Sequence, residues 1–236
     1  MADSPLSGRV AIVTGGAGAL GGAVTGRLLA DGARVAVPLE LAEHGDPLRE
    51  RIASADRDRL SMEVVDASDL DAMTRYADAV ARRHGRIDIL VALVGGFAGG
   101  ALVETDRATW DRMLTMNLTA TFVATRAVAP HMVAAGRGRI VTIGSRSVVP
   151  PGPGFIAYTT AKNGVIAFTQ ALARELQVSG ITVNTILPST MDTPANRAAM
   201  PDSDRKGWVT VESVAGVIAY LASDAAAHVT GALLPV

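Results

Sequence analysis

Short runs of contiguous apolar residues, rich in Val and Ile, recur along the chain. They alternate with longer stretches whose apolar positions fall three and four apart. Arg9–Thr14, Arg34–Leu39, Leu60–Val65, Ile87–Val94, Arg139–Gly144 and Ile181–Leu187 read as strands covered on both faces, because a half-solvated strand would alternate apolar with polar. Helical patterning follows the first run and ends near Asp31-Gly32. It returns near Pro47–Ala55, at Asp69–His84, at Thr105–Ala135 with a break expected at Pro130, and at Tyr158–Val178. In that last stretch Val165, Phe168, Leu172 and Leu176 form one stripe. A helix over Val211–Ala222 and a short strand over Leu233–Val236 complete the pattern. Such alternation predicts an α/β fold: a doubly wound parallel sheet of Rossmann type, as a single domain over residues 1–236. The loops Pro150–Gly154 and Pro188–Gly207 follow strands, at the edge where open α/β sheets take ligands, so a substrate loop is expected at about 188–207.

Composition narrows the chemistry. With 49% hydrophobic and 19% charged residues over 236 positions, the chain can bury a large core. A formal net charge of −1 gives no field to gather nucleic acid or an anionic membrane. There is no cysteine, which removes thiolate nucleophiles, disulfides and iron–sulfur ligation. His44, His84, His131 and His228 are scattered, and no HExxH is present, so no metal is expected. The N-terminus has no charged-then-apolar leader, and the uncharged stretch Ile89–Val103 is shorter than the ~20 residues of a spanning helix. A cytoplasmic protein without membrane or nucleic-acid partners is the expectation.

Two local patterns carry chemistry. Between the first strand and helix lies Thr14-Gly15-Gly16-Ala17-Gly18-Ala19-Leu20-Gly21-Gly22, which contains a literal GxGxxG. Glycines there allow a sharp turn and close approach of a pyrophosphate to a helix N-terminus; a tight turn without ligand is the plainer reading. Glu40 is the one acidic residue near the end of the second strand, placed to accept ribose hydroxyls. No Arg or Lys lies in the loop or directly after Leu39, so NAD is favoured over NADP, which stays open. Asp66, at the end of the third strand, is either a turn or N-cap residue or a contact of the adenine ring.

The second pattern is Tyr158 and Lys162, four apart and therefore on one helical face. A phenol of pKa ~10 needs a shift of ~3 units, about 4 kcal/mol, to be substantially ionised near neutral pH. An ammonium ~4 Å away in an effective dielectric of ~20 supplies about that much. The phenol then serves as a general acid or base for an alcohol–carbonyl pair. A surface pair on a solvated helix is the plainer alternative.

Taken with Asp88-Ile89-Leu90-Val91, Asn117, Ser145 and Val183-Asn184 leading to Pro188, these residues make the sequence resemble the short-chain dehydrogenase/reductase family over nearly its whole length. The resemblance is to its single-domain, 3-oxoacyl-acyl-carrier-protein reductase-like branch. It implies an NAD(P)-dependent oxidoreductase that interconverts a secondary alcohol and a ketone by hydride transfer. In that reading Tyr158 passes a proton to or from the substrate oxygen, and Lys162 lowers the tyrosine pKa and holds ribose hydroxyls. Ser145 orients the substrate oxygen, and Asn117 holds a water linking Lys162 to solvent. The resemblance also implies a dinucleotide site of Gly15, Gly18, Ala19, Leu20, Gly21, Leu39, Glu40, Asp66, Ala67, Leu93, Gly95, Pro188, Met191 and Thr193, beside Tyr158 and Lys162. It implies a small carbonyl or alcohol substrate and a homo-oligomer, dimer or tetramer, packed through the helices around Asn117 and Tyr158. Phe97, Phe155, Met200 and Trp208 are candidates for an apolar substrate wall.

The chain departs from the family pattern at several points. Ala19 stands for a loop glycine, Ala92-Leu93-Val94-Gly95 for Asn-Asn-Ala-Gly, Leu39 for an Asp, and Pro188-Ser189 for Pro-Gly. Two other readings stand beside the enzyme: a catalytically inactive dinucleotide-binding sensor or scaffold of the same fold, and a methyltransferase using its Gly-rich turn for an adenosyl ligand.

Overall fold

The Val- and Ile-rich runs form β1 (Val10–Thr14), β2 (Arg34–Leu39), β3 (Leu60–Val64), β4 (Ile89–Ala92), β5 (Gly138–Ile143), β6 (Ile181–Leu187) and β7 (Leu233–Pro235) in a computed structural model that describes residues 4–236. They pair in the order β3-β2-β1-β4-β5-β6-β7, every neighbour parallel. The chain winds outward from β1 to β3 and then crosses back to set β4 against β1, in register from Ala11↔Ile89 to Thr14↔Ala92. Connections therefore diverge beyond the carboxyl ends of β1 and β4 and leave a crevice there.

Side chains alternate across each strand and sort into two apolar layers. Ala11, Val13, Val35, Val37, Ile89, Val91 and Val141 pack with α1 (Ala19–Ala30) and with the Val211–Ala222 helix. Val10, Ile12, Leu90, Ile140, Ile181 and Val183 pack on the other face, under helices at Leu70–His84, Ala120–Ala135 and Ile156–Leu176. In chain order the helices are α2 (Gly45–Arg51), α3 (Leu70–His84), α4 (Arg107–Leu114), α5 (Ala120–Ala135), α6 (Ile156–Leu176), α7 (Pro194–Ala199) and α8 (Val211–Ala222). No helix among the described residues is long and apolar enough to cross a membrane.

Three expectations about elements change. The run Ile87–Val94 pairs only over Ile89–Ala92, because the chain leaves the sheet to enter the crevice. The helix expected over Pro47–Ala55 ends at Arg51, and a 3₁₀ stretch follows at Ser54–Arg59. The break placed at Pro130 is absent: Pro130 lies inside α5, while α4 and α5 are separated by a π-helical turn at Thr115–Thr119. Arg126, whose carbonyl loses its donor to the proline ring, is on the exposed face of α5, where water can satisfy it.

Candidate active site

The β1–α1 loop is folded tightly by its glycines. Gly15 has φ +69°, and a Cβ there would stand 2.9 Å from the Val94 nitrogen. A Cβ on Gly21 would run into the carbonyl oxygen of Gly15. Helix α1 thus begins directly against its own strand. Gly18 is its N-cap and offers no side-chain cap, and the first turn carries no acidic residue. Gly18 and Ala19 are exposed while Leu20 is buried. The first-turn amides therefore point outward without a side-chain acceptor, in a cradle that any further side chain would fill. That arrangement suits a diphosphate, and the loop fits a dinucleotide.

The adjoining loops reach the same edge. Leu39 is buried at the end of β2, and Glu40 is exposed just beyond it. Asp66 accepts from the Ser68 nitrogen at 2.8 Å and the Ser68 hydroxyl at 2.7 Å, and these bonds hold its carboxyl below the usual range. It is a turn residue, with Ala67 inside the turn; the N-cap of α3 is Asp69. The sequence reading missed Arg51. From the end of α2 its guanidinium lies over the first turn of α1, 3.1 Å from where a Cβ on Gly22 would stand. No local signal points to it, because the two positions are 29 apart in the chain.

Asn117, Ser145, Tyr158 and Lys162 converge at the carboxyl ends of β4 and β5. Lys162 is 4% exposed, and its Nζ donates to the Ile143 carbonyl at 3.0 Å. Burial pulls its pKa down to about 8. The amine lies 5.9 Å from the centre of the Tyr158 ring, the next turn of the same helix. Burial pushes the Tyr158 phenol up, and a hydrogen bond with Ser145 is the smaller, opposing influence. Lys162 Nζ is turned toward the end of β5, and burial of the phenol is the largest influence on Tyr158 in this arrangement. Ser145 also shares a 2.8 Å hydrogen bond with Ser147.

Asn117 is fully buried in the π turn. Its Nδ2 donates to the carbonyls of Gly96 and Met113, each at 3.0 Å, and its Oδ1 accepts from the Gly96 nitrogen at 3.2 Å. One Oδ1 lone pair is left. A Cβ on Gly95 would sit 2.7 Å from that Oδ1 and 3.3 Å from the Lys162 Nζ, so only glycine lets the β4 loop pass over both. Leu93, half-buried, lies two residues earlier in that loop.

After β6, the buried Pro188 accepts from the Arg146 nitrogen at 3.0 Å. The Met191 carbonyl accepts from Asn196 Nδ2 at 2.8 Å, and Thr193 caps α7 by accepting from the Asn196 nitrogen. Above Tyr158 stands an aromatic group: Phe97 is edge-on to it at 5.0 Å, and Phe155 is 6.1 Å from Phe97. Phe97 is 65% exposed. Trp208 instead lies under the Arg205 guanidinium, and Met200 is half-buried directly after α7.

Residues 9–204 match the family model described as short chain dehydrogenase. The chain belongs to the short-chain dehydrogenase family. It is similar to 2,3-dihydroxy-2,3-dihydro-p-cumate dehydrogenase of Pseudomonas putida, with 34% identity over 98% of this chain and 94% of that protein. It is 31% identical to 3-oxoacyl-[acyl-carrier-protein] reductase of Escherichia coli over 98% of this chain and 96% of the relative. The crystal structure of levodione reductase superposes with a TM-score of 0.91 at 26% identity, covering 98% and 96% of the two chains. As a short-chain dehydrogenase the protein is an oxidoreductase, and members of the family bind NAD(H) or NADP(H).

Proposed function

We propose that this short-chain dehydrogenase interconverts a secondary alcohol and a ketone, with Tyr158 as the group that moves the proton. The reading rests on one observation: the Tyr158 ring stands 5.9 Å from a buried amine, Lys162 Nζ, that has no carboxylate partner among the described residues. Gly15, Gly18, Ala19, Leu20 and Gly21 would hold the diphosphate of the dinucleotide, with Leu39, Glu40, Asp66 and Ala67 at its adenosine end. Leu93, Gly95, Pro188, Met191 and Thr193 would line its nicotinamide end. The bound dinucleotide supplies the hydride donor or acceptor.

The remaining chemistry belongs to the chain. Burial keeps the free protein's phenol neutral, so in reduction Tyr158 donates the Oη proton to the carbonyl oxygen while Ser145 fixes that oxygen by a hydrogen bond. In oxidation the same oxygen takes the proton back. Lys162 offers a positive charge close to neutral pH, and Asn117 holds the β4 loop over it with a lone pair to spare for a water. Phe97 and Phe155 pack their rings edge-on against the phenol and would shield it further once substrate covers them. Glu40 supports NAD as the preferred dinucleotide; Arg51, beside the first turn of α1, is the residue that supports NADP.

Replacing Tyr158 by Phe removes only the proton-transferring hydroxyl. Turnover on a carbonyl panel is expected to fall by about 10²–10⁴-fold, with dinucleotide affinity by fluorescence titration unchanged within about twofold. Undiminished turnover overturns the assignment. Absence of turnover in the unmutated protein, with dinucleotide binding retained, favours the sensor reading.

A further inference from the structure

At the opposite edge of the sheet, under the amino ends of β1, β4 and β5, lies a second polar centre. Asp88 is nearly buried, its side chain 5% exposed. Its Oδ1 accepts from Arg9 at 3.4 Å, Arg86 at 2.6 Å and Arg137 at 2.5 Å. Its Oδ2 accepts from the Val10 nitrogen at 2.9 Å and Arg86 Nε at 2.7 Å. Two carboxylate oxygens offer about four lone-pair sites, so five donors exceed what Asp88 can take.

The second carboxylate, Asp224, accepts from Arg9 at 2.6 Å and Arg139 at 3.3 Å and is 69% exposed. Four guanidinium groups thus face two carboxylates, an excess of two positive charges on a chain whose formal net charge is −1. Arg9 Nε and Arg137 Nε and Nη1 have no acceptor among the described residues. Arg9, Asp88, Arg137, Arg139 and Asp224 line a cavity of about 220 Å³ at this spot, open to solvent.

We propose that this cavity is an anion site for a phosphoryl group, separate from the dinucleotide crevice. A planar guanidinium with spare, parallel N–H donors is the group that matches phosphate oxygens in pairs. The cavity is smaller than the ~300–1,000 Å³ of sites for drug-sized ligands, which limits the occupant to inorganic phosphate or a small phosphomonoester. A strand of five residues spans roughly 17 Å, so an anion here lies a full sheet height from Tyr158 and cannot touch the reacting atoms.

The test is thermal unfolding of the full chain titrated with inorganic phosphate, and in parallel with glycerol phosphate, against chloride at constant ionic strength. Saturating dinucleotide is present throughout, so that the crevice at α1 is filled. A saturable rise in Tm with phosphate is expected. Arg137→Gln should weaken the apparent affinity by about tenfold or more, since it removes charge-assisted bonds. Asp88 keeps four donors in that variant, so the fold is expected to hold. Arg126→Gln, an equal charge change on the exposed face of α5, should leave the response intact.

A response to phosphate alone assigns the free anion, and a response to both probes assigns the phosphoryl group of an ester. No response to either, or an equal response in Arg137→Gln, overturns the proposal. Should that variant unfold, phenylglyoxal labelling of the unmutated protein, read by mass spectrometry, decides instead. Phosphate must slow modification of Arg137 and not of Arg126; equal rates with and without phosphate refute the site.

Discussion

Lys162 shows how a single side chain trades stability for chemistry. Its pKa falls from the unfolded value of 10.5 to about 8, because burial opposes the charged form. Between those values the unfolded chain binds more protons than the native one, so the stability of the fold rises with pH from about 8 to 10.5 and is lowest below 8. The shift corresponds to about 3 kcal/mol of destabilisation at neutral pH, offset by about 1 kcal/mol from the bond to the Ile143 carbonyl. Lys162→Met is therefore expected to be inactive yet more stable by about 2 kcal/mol at pH 7 in urea denaturation. That advantage should disappear near pH 10.5. The pairing of Tyr158 with Lys162 was legible in the sequence, because i and i+4 share a helical face whatever surrounds them. The direction of the amine was not. It is set by the end of β5 and the passage of Gly95, which come from sequence positions far from α6.

Elements are placed by backbone clearance as much as by apolar periodicity. Gly21→Ala would drive a methyl group into the Gly15 carbonyl and is expected to cost at least about 2 kcal/mol and to abolish dinucleotide binding in a titration. Gly18→Ala, whose added Cβ would meet the Gly15 oxygen at 3.4 Å, should be tolerated within about 0.5 kcal/mol. The strand–glycine–helix pattern was readable because all its parts are local. The π turn at Thr115–Thr119 was not, since nothing in that stretch breaks helical propensity. The widening is held in place by Asn117 bonding the Met113 carbonyl and the distant Gly96. Pro130 misled for the converse reason: a proline interrupts the ladder only as far as its orphaned carbonyl lacks another partner.

Across the whole molecule the parallel sheet separates two rims. Loops after β1, β2, β3, β4, β5 and β6 gather the candidate site residues, whereas the turns before β1, β4 and β5 gather around Asp88. Asp88→Asn, which leaves three guanidiniums over a neutral amide, is expected to destabilise the protein by about 3–5 kcal/mol in urea denaturation. Asp111→Asn, in the exposed pair with Arg107, should change stability by less than about 1 kcal/mol. The alternation of strands and helices made the doubly wound class legible. The arginine cluster was hidden because its members enter from three separate strand approaches, and only the register of the sheet brings them together.

Since the strands all run one way, the ends that lead into the loops of the candidate site are not the ends that the Asp88 cluster pins. Residues 147–154 and 194–207, which hold none of the residues proposed to bind the dinucleotide, can accordingly vary, by drift or in a designer's library, while the opposite rim keeps the scaffold in place. New substrate preferences should be reachable from this chain by many short mutational steps, none of which has to pass through an unfolded ancestor.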